Sequence, residues 1–119
     1  MAVAELGAVV LDCPDPGKLA AFYAELLGGT TEGEGDWVDL KLPGGRTLAF
    51  QAAEGHVPPK WPSAEHSQQL HLDLSVPDLD AAEAKALAAG ARPLDADDRS
   101  RTFRVYADPA GHPFCLCAC

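Results

Sequence analysis

Two short stretches hold most of the residues able to do chemistry. The first is His112 to Cys119 (HPFCLCAC), with a histidine and then Cys115, Cys117 and Cys119 at alternate positions. Four soft-metal ligands in eight residues suit a metal site, a disulfide framework, or a strand that carries sulfur. The second is Gln69 to Leu74 (QLHLDL), in which His71 and Asp73 alternate with leucines. A histidine near a carboxylate is a general-base pattern. A cysteine becomes a nucleophile only beside a cationic neighbour, which His71 supplies if it faces Cys115. Without such a partner, buried cysteines behave as small apolar residues. His56, His66 and His112 lie in loop-like sequence and are expected to be solvated.

Charge and composition narrow the field. The 119 residues carry a formal net charge of -9, with 18 acidic against 9 basic side chains. That balance disfavours nucleic acid and anionic membrane as partners. A hydrophobic share of 47% fits a globular protein. The opening MAVAELGAVVLDCPDP has neither a cationic leader nor a long apolar run, which points to a cytoplasmic protein. Disulfides are rare in that compartment, and cysteines two apart on a strand stand roughly 6.6 Å apart, so free thiols are expected. No phosphate-cradling glycine loop, nucleophile elbow or H-E-x-x-H motif occurs.

An internal repeat supplies the elements that must position these residues. LDCPDPGKLAAFYAELLGG from Leu11 matches LSVPDLDAAEAKALAAGA from Leu74 at an offset of 63 residues. Each copy reads as an apolar strand, an aspartate N-cap (Asp15, Asp78) and a helix closed by glycine (Gly28, Gly90). Leu19, Phe22, Tyr23 and Leu26 form the apolar face of the first helix; Leu79, Ala82, Ala86 and Leu87 form a thinner stripe on the second. PGGRTLAF and PAGHPFCL are a further echo, each a turn entering a strand, with Asp108–Gly111 suited to a type I turn. Strands are expected at about 30–34, 37–42, 92–95 and 102–107. The unit is strand, helix and three strands, used twice: an α+β fold of two βαβββ modules, 1–54 and 69–119, joined by a proline-rich linker, 55–68. A ferredoxin-like sandwich has one strand fewer per half.

The duplicated unit, with its PD-helix-G and DPxGxxxxL segments, resembles the vicinal-oxygen-chelate superfamily of glyoxalases, bleomycin-resistance proteins and extradiol dioxygenases. PPKWP followed by QQLHLDL is most similar to small actinobacterial glyoxalase-like proteins. The resemblance implies one glyoxalase-like domain over 1–119: a curved, cup-shaped mixed sheet with helices outside, and commonly a homodimer. It also implies four metal-ligand positions facing the cup in metal-dependent members. By the repeat, these fall on Ala8, Ala49, His71 and Cys115. Alanine cannot coordinate, whereas a catalytic ion needs about three protein ligands. Gln51 and Asp73 lie out of that register, so neither metal nor other cofactor is expected.

Strand alternation sorts the remaining faces. Leu70, Leu72, Leu74, Phe114 and Leu116 should pack on helices, which turns Gln69, His71, Asp73, Cys115 and Cys117 to the cup. Thr47, Ala49 and Gln51 follow likewise, as do Ala8, Val10 and Asp12. Trp61, on a proline-stiffened loop, suits a lid over an apolar pocket. Trp37 suits a rim or the core, and 95–101 a solvated hairpin loop. The expected function is metal-independent binding of an apolar or aromatic small molecule by Gln51, Trp61, Gln69, His71, Asp73, Tyr106 and Cys115. The alternatives are a lyase or isomerase with His71 as base, assisted by Tyr106 or Asp73, and a metal-dependent glyoxalase-type enzyme.

Overall fold

The computed structural model describes residues 2–63 and 65–118. The elements run β1 (Val9–Cys13), α1 (Pro16–Leu27), β2 (Thr30–Glu32), β3 (Trp37–Lys41), β4 (Thr47–Ala52), β5 (Leu72–Ser75), α2 (Leu79–Ala89), β6 (Arg92–Asp95), β7 (Phe103–Ala107) and β8 (Pro113–Cys117). This is the βαβββ unit twice, an α+β fold. Each copy forms its own mixed four-stranded sheet, ordered β1-β4-β3-β2 and β5-β8-β7-β6. Two compact units result, residues 1–56 and 57–119. No helix among the described residues is long and apolar enough to cross a membrane.

The helix starts form as their sequences dictate. Asp15 accepts from the Lys18 backbone N–H, and Asp78 from those of Asp80 and Ala81, satisfying amides that a first turn leaves unpaired. Gly28 and Gly90 close the two helices.

In the first unit, Leu19, Phe22 and Tyr23 of α1 are buried against the sheet. The Tyr23 ring stacks on Phe50 at 5.8 Å, which identifies the helix-facing side of β4. Leu11, Val38, Leu40, Leu48 and Phe50 fill that side and are at most 7% exposed. Helix α2 is different. Of the expected stripe only Ala86 is buried, while Leu87 is 40% exposed. Alanine side chains are too short to interdigitate deeply, so polar contacts join α2 to its sheet instead. Tyr106 donates to Glu83 at 2.6 Å, and Arg104 Nη2 lies 2.9 Å from Asp80 Oδ1. Arg99 adds a bidentate bond to Glu83 at 2.9 and 2.8 Å. The loop 95–101 is therefore anchored to α2, not merely solvated.

The turn before β8 is built on Asp108. Its carbonyl accepts from Gly111 N at 2.8 Å, and its buried carboxylate accepts from the amides of Ala110 and His112. Gly111 has φ +92°, and a Cβ there would stand 2.5 Å from Pro58 Cβ. Glycine is thus demanded twice, by backbone conformation and by the proline packed against it.

Candidate functional site

Strand register decides which side chains meet. In the parallel β5–β8 pair, Leu72 lies opposite Phe114, Asp73 opposite Cys115, and Leu74 opposite Leu116. Cys115 in turn lies opposite Val105, and Phe114 opposite Tyr106. Because Tyr106 and Arg104 reach α2, the side carrying Phe114 and Leu116 faces the helix. Asp73, Val105, Cys115 and Cys117 share the other side.

On that side His71, Asp73 and Cys115 form a cluster whose ligand atoms all lie within 4.8 Å of one another. His71 Nε2 is 3.2 Å from Asp73 Oδ1. Cys115 is buried, whereas His71 and Asp73 are exposed. Burial, followed by the charge of Asp73 and its hydrogen bond to the thiol, pushes Cys115 up to about 11. At neutral pH the group is a thiol donating to a carboxylate, which makes it a poor nucleophile. His71 does not activate the sulfur, because burial first and the Asp73 carboxylate second hold Cys115 as a thiol.

Next to the cluster, Arg101 Nη2 donates to Asp95 Oδ1 at 2.8 Å, and its guanidinium carbon sits 4.6 Å above the Phe103 ring. Sequence reasoning missed this pair. Arg101 and Phe103 fall at the end of a charged run, and only the β6–β7 connection folds the arginine back onto the strand.

The other expected site residues are placed as follows. Tyr106 is fully buried and points to α2, with its hydroxyl held by Glu83; burial and then Glu83 push it up to about 12. It is removed from the ligand face, because a residue one position from Val105 must point the opposite way. Gln69 and His71 precede β5, which starts at Leu72 instead of Gln69. Leu70 is 59% exposed and does not pack on a helix. The Gln69 amide donates to Ser67 at 3.4 Å. Trp61 is 37% exposed on the loop before β5.

In the first unit, Gln51 lies opposite both Asp12 and Trp37, on the side of β4 turned away from α1. Its amide donates to Asp12 at 2.7 Å, and the Trp37 indole donates to Asp39 at 2.8 Å. Trp37 is 45% exposed on this same side, so it is not a core residue.

Cys13 and Cys115 are free. Cys117 is disulfide-bonded, which corrects the expectation of a thiol at that position. The spacing argument assumed continuous strand, and β8 ends at Cys117. The expectation made for Cys119 lies outside the described residues.

The four-ligand set that the resemblance implies does not fit the first unit. Ala8 and Ala49 offer no donor, and Ala49 is fully buried in β4. The second unit fits better than its sequence suggests. Asp73, set aside as out of register, lies directly across from Cys115 and completes a set of imidazole, carboxylate and thiol. Such a set suits zinc or cobalt better than magnesium or manganese.

Comparison with known proteins places this geometry. No curated protein matches the chain. Among solved structures, a glyoxalase/bleomycin resistance protein/dioxygenase family enzyme from Burkholderia phytofirmans superposes with a TM-score of 0.71 at 20% identity, covering 95% of this chain and 97% of its own. The oxidase ChaP-H2 gives 0.66 at 20% identity, covering 97% and 93%. The fosfomycin resistance protein FosX from Listeria monocytogenes, complexed with Mn(II) and 1S,2S-dihydroxypropylphosphonic acid, gives 0.71 at 13% identity, covering 98% and 91%. At these identities the likeness is one of fold. The model of the glyoxalase-like domain matches residues 8–117, nearly the whole chain, and the protein belongs to that family.

Proposed function

We propose that this chain is a small-molecule binding protein of the glyoxalase/bleomycin-resistance type. Its ligand is apolar or aromatic with one polar handle, and it needs no metal to bind. The observation that carries this reading is the His71–Asp73–Cys115 cluster on the helix-free side of the second sheet. The cluster offers an imidazole, a carboxylate acceptor and a protonated thiol. The exposed Phe103 ring and Arg101 stand on neighbouring positions of the same unit. Trp61 and Gln69, on the exposed loop before β5, complete the proposed ligand surroundings.

Screening aromatic ligands in the presence of a chelator tests the reading. Binding in chelator that weakens in His71→Ala and in Asp73→Asn supports it. Binding that appears only with added metal ends it.

A lyase or isomerase reading draws on the 3.2 Å approach of Asp73 to His71 Nε2, a carboxylate placed to orient an imidazole base. Turnover of a bound ligand that is lost in His71→Ala would select this second reading.

The proposal includes a homodimer in the cytoplasm. Each four-stranded sheet ends on two outer strands, and strand edges invite pairing with another chain. Sedimentation as a pure monomer at micromolar concentration counts against it.

A further inference from the structure

We infer that Arg101 decides which aromatic ring the second unit accepts. The ligand's ring lies against the Arg101–Phe103 pair, and electron-rich rings are selected over electron-poor rings of the same shape. This rests on the ligand reading above and adds the ring chemistry to it. The polar handle remains with the His71–Asp73–Cys115 cluster, which the selection does not involve.

Three elements bring the pair onto the helix-free side. On β7, Phe103 lies two residues before Val105 and opposite Cys117, so it shares a side with Val105 and Cys115. On β6, Arg92 and Pro93 pair with Ala107 and Tyr106, and regular pairing would set Leu94 opposite Val105. A β-bulge between Pro93 and Asp95 sets Asp95 there instead. That slip of one residue moves the carboxylate from the helix side to the helix-free side. The loop after β6 then returns Arg101 to Asp95. The guanidinium donates to Oδ1 at 2.8 Å, to Oδ2 at 3.3 Å and to the Asp95 carbonyl at 3.0 Å.

This fork fixes the guanidinium with its carbon 4.6 Å from the Phe103 ring centroid. The hydrogen bonds run in the guanidinium plane and leave its flat faces for stacking. Arg101 keeps 26% of its side chain exposed and Phe103 is 37% exposed, so a planar ligand has access to the stack. A ring laid on it meets the cation directly, or through a phenyl ring that the cation has polarised. Both arrangements favour electron-rich rings, because a guanidinium attracts the negative face of an aromatic quadrupole. Asp95 balances the charge of Arg101, so the pair offers little to a carboxylate. What it reads is the ring.

The test uses the full chain in chelator and three probes that share a hydroxymethyl handle: para-methoxybenzyl, benzyl and para-cyanobenzyl alcohol. The methoxy group enriches the ring and the cyano group drains it. By NMR titration the methoxy probe is expected to bind about two- to fivefold more tightly than the cyano probe, a preference of cation–π size. Arg101→Gln should bring the two affinities together and leave that of benzyl alcohol nearly unchanged. In the unmutated chain, the bound methoxy probe should also shift the Arg101 Nε–H resonance upfield by its ring current and leave that of Arg99 in place. This readout stands if Arg101→Gln does not fold. Methoxy and cyano probes that bind alike, a preference that survives in a folded Arg101→Gln, or an unmoved Arg101 resonance at saturation overturns the inference and leaves the ligand reading standing. Binding by none of the three ends both.

Discussion

Asp73 stands directly opposite Cys115 across the parallel β5–β8 pair, and its carboxylate accepts a hydrogen bond from the buried thiol. Residues 42 positions apart in the chain are thereby coupled. Together with burial, the coupling holds Cys115 as a thiol.

Cys115 should accordingly react slowly with iodoacetamide at neutral pH, its rate rising toward a midpoint near 11. Asp73→Asn removes the anion and should shift the midpoint down. Because the folded-state value is raised above the ordinary 9.0, the stability it contributes is present below pH 9 and is lost as pH rises toward 11. Mass-mapped alkylation against pH checks the reactivity. A midpoint unmoved by Asp73→Asn would remove Asp73 from this role.

At the other end of the pH scale, Glu83 is held down at about 2 by hydrogen bonds from Arg99 first and Tyr106 second. A depressed carboxylate stabilises above its unfolded value of 4.5 and loses that contribution as pH falls from 4.5 toward 2. After discounting for solvent screening, about 1–2 kcal/mol should disappear over that window. Thermal melts at pH 7 and pH 3 should show this loss in the native chain and much less of it in Glu83→Gln.

For ligand binding, His71→Ala should weaken affinity by about 0.5–1.5 kcal/mol, the worth of one hydrogen bond, and leave the melting temperature nearly unchanged. The exposure of His71 supports that separation. An aromatic ligand should also quench Trp61, with Trp61→Phe removing most of the signal and Trp37 left as the remaining emitter. A destabilised His71→Ala with unaltered affinity would show that the histidine is structural.

Gly111→Ala is expected to cost about 1–3 kcal/mol. The residue sits at φ +92°, and the added methyl group meets Pro58. Chemical denaturation checks the figure. A change under 0.5 kcal/mol would mean that the loop before β5 moves aside without penalty.

What the sequence determined is local and repeated. Asp15 and Asp78 begin helices because a short carboxylate can bond first-turn amides, and Gly28 and Gly90 end them because glycine tolerates the closing conformation. The 63-residue offset between the two copies was enough to read the βαβββ unit, while the family entered only as a resemblance carried by the PD-helix-G and DPxGxxxxL segments. Alternation alone put Cys115 on one face of β8 and Leu116 on the other. Tertiary structure decided what alternation leaves open, namely which residue of a different strand lies opposite. Pairing β5 with β8 brought Asp73 to Cys115 and made the sulfur a hydrogen-bonded thiol. The β6–β7 connection folded Arg101 onto Phe103, and Glu83 of α2 took Tyr106 to the opposite side of the sheet. Strand register and helix docking are properties of chain segments far apart in sequence, so neighbours along the chain carry no trace of them.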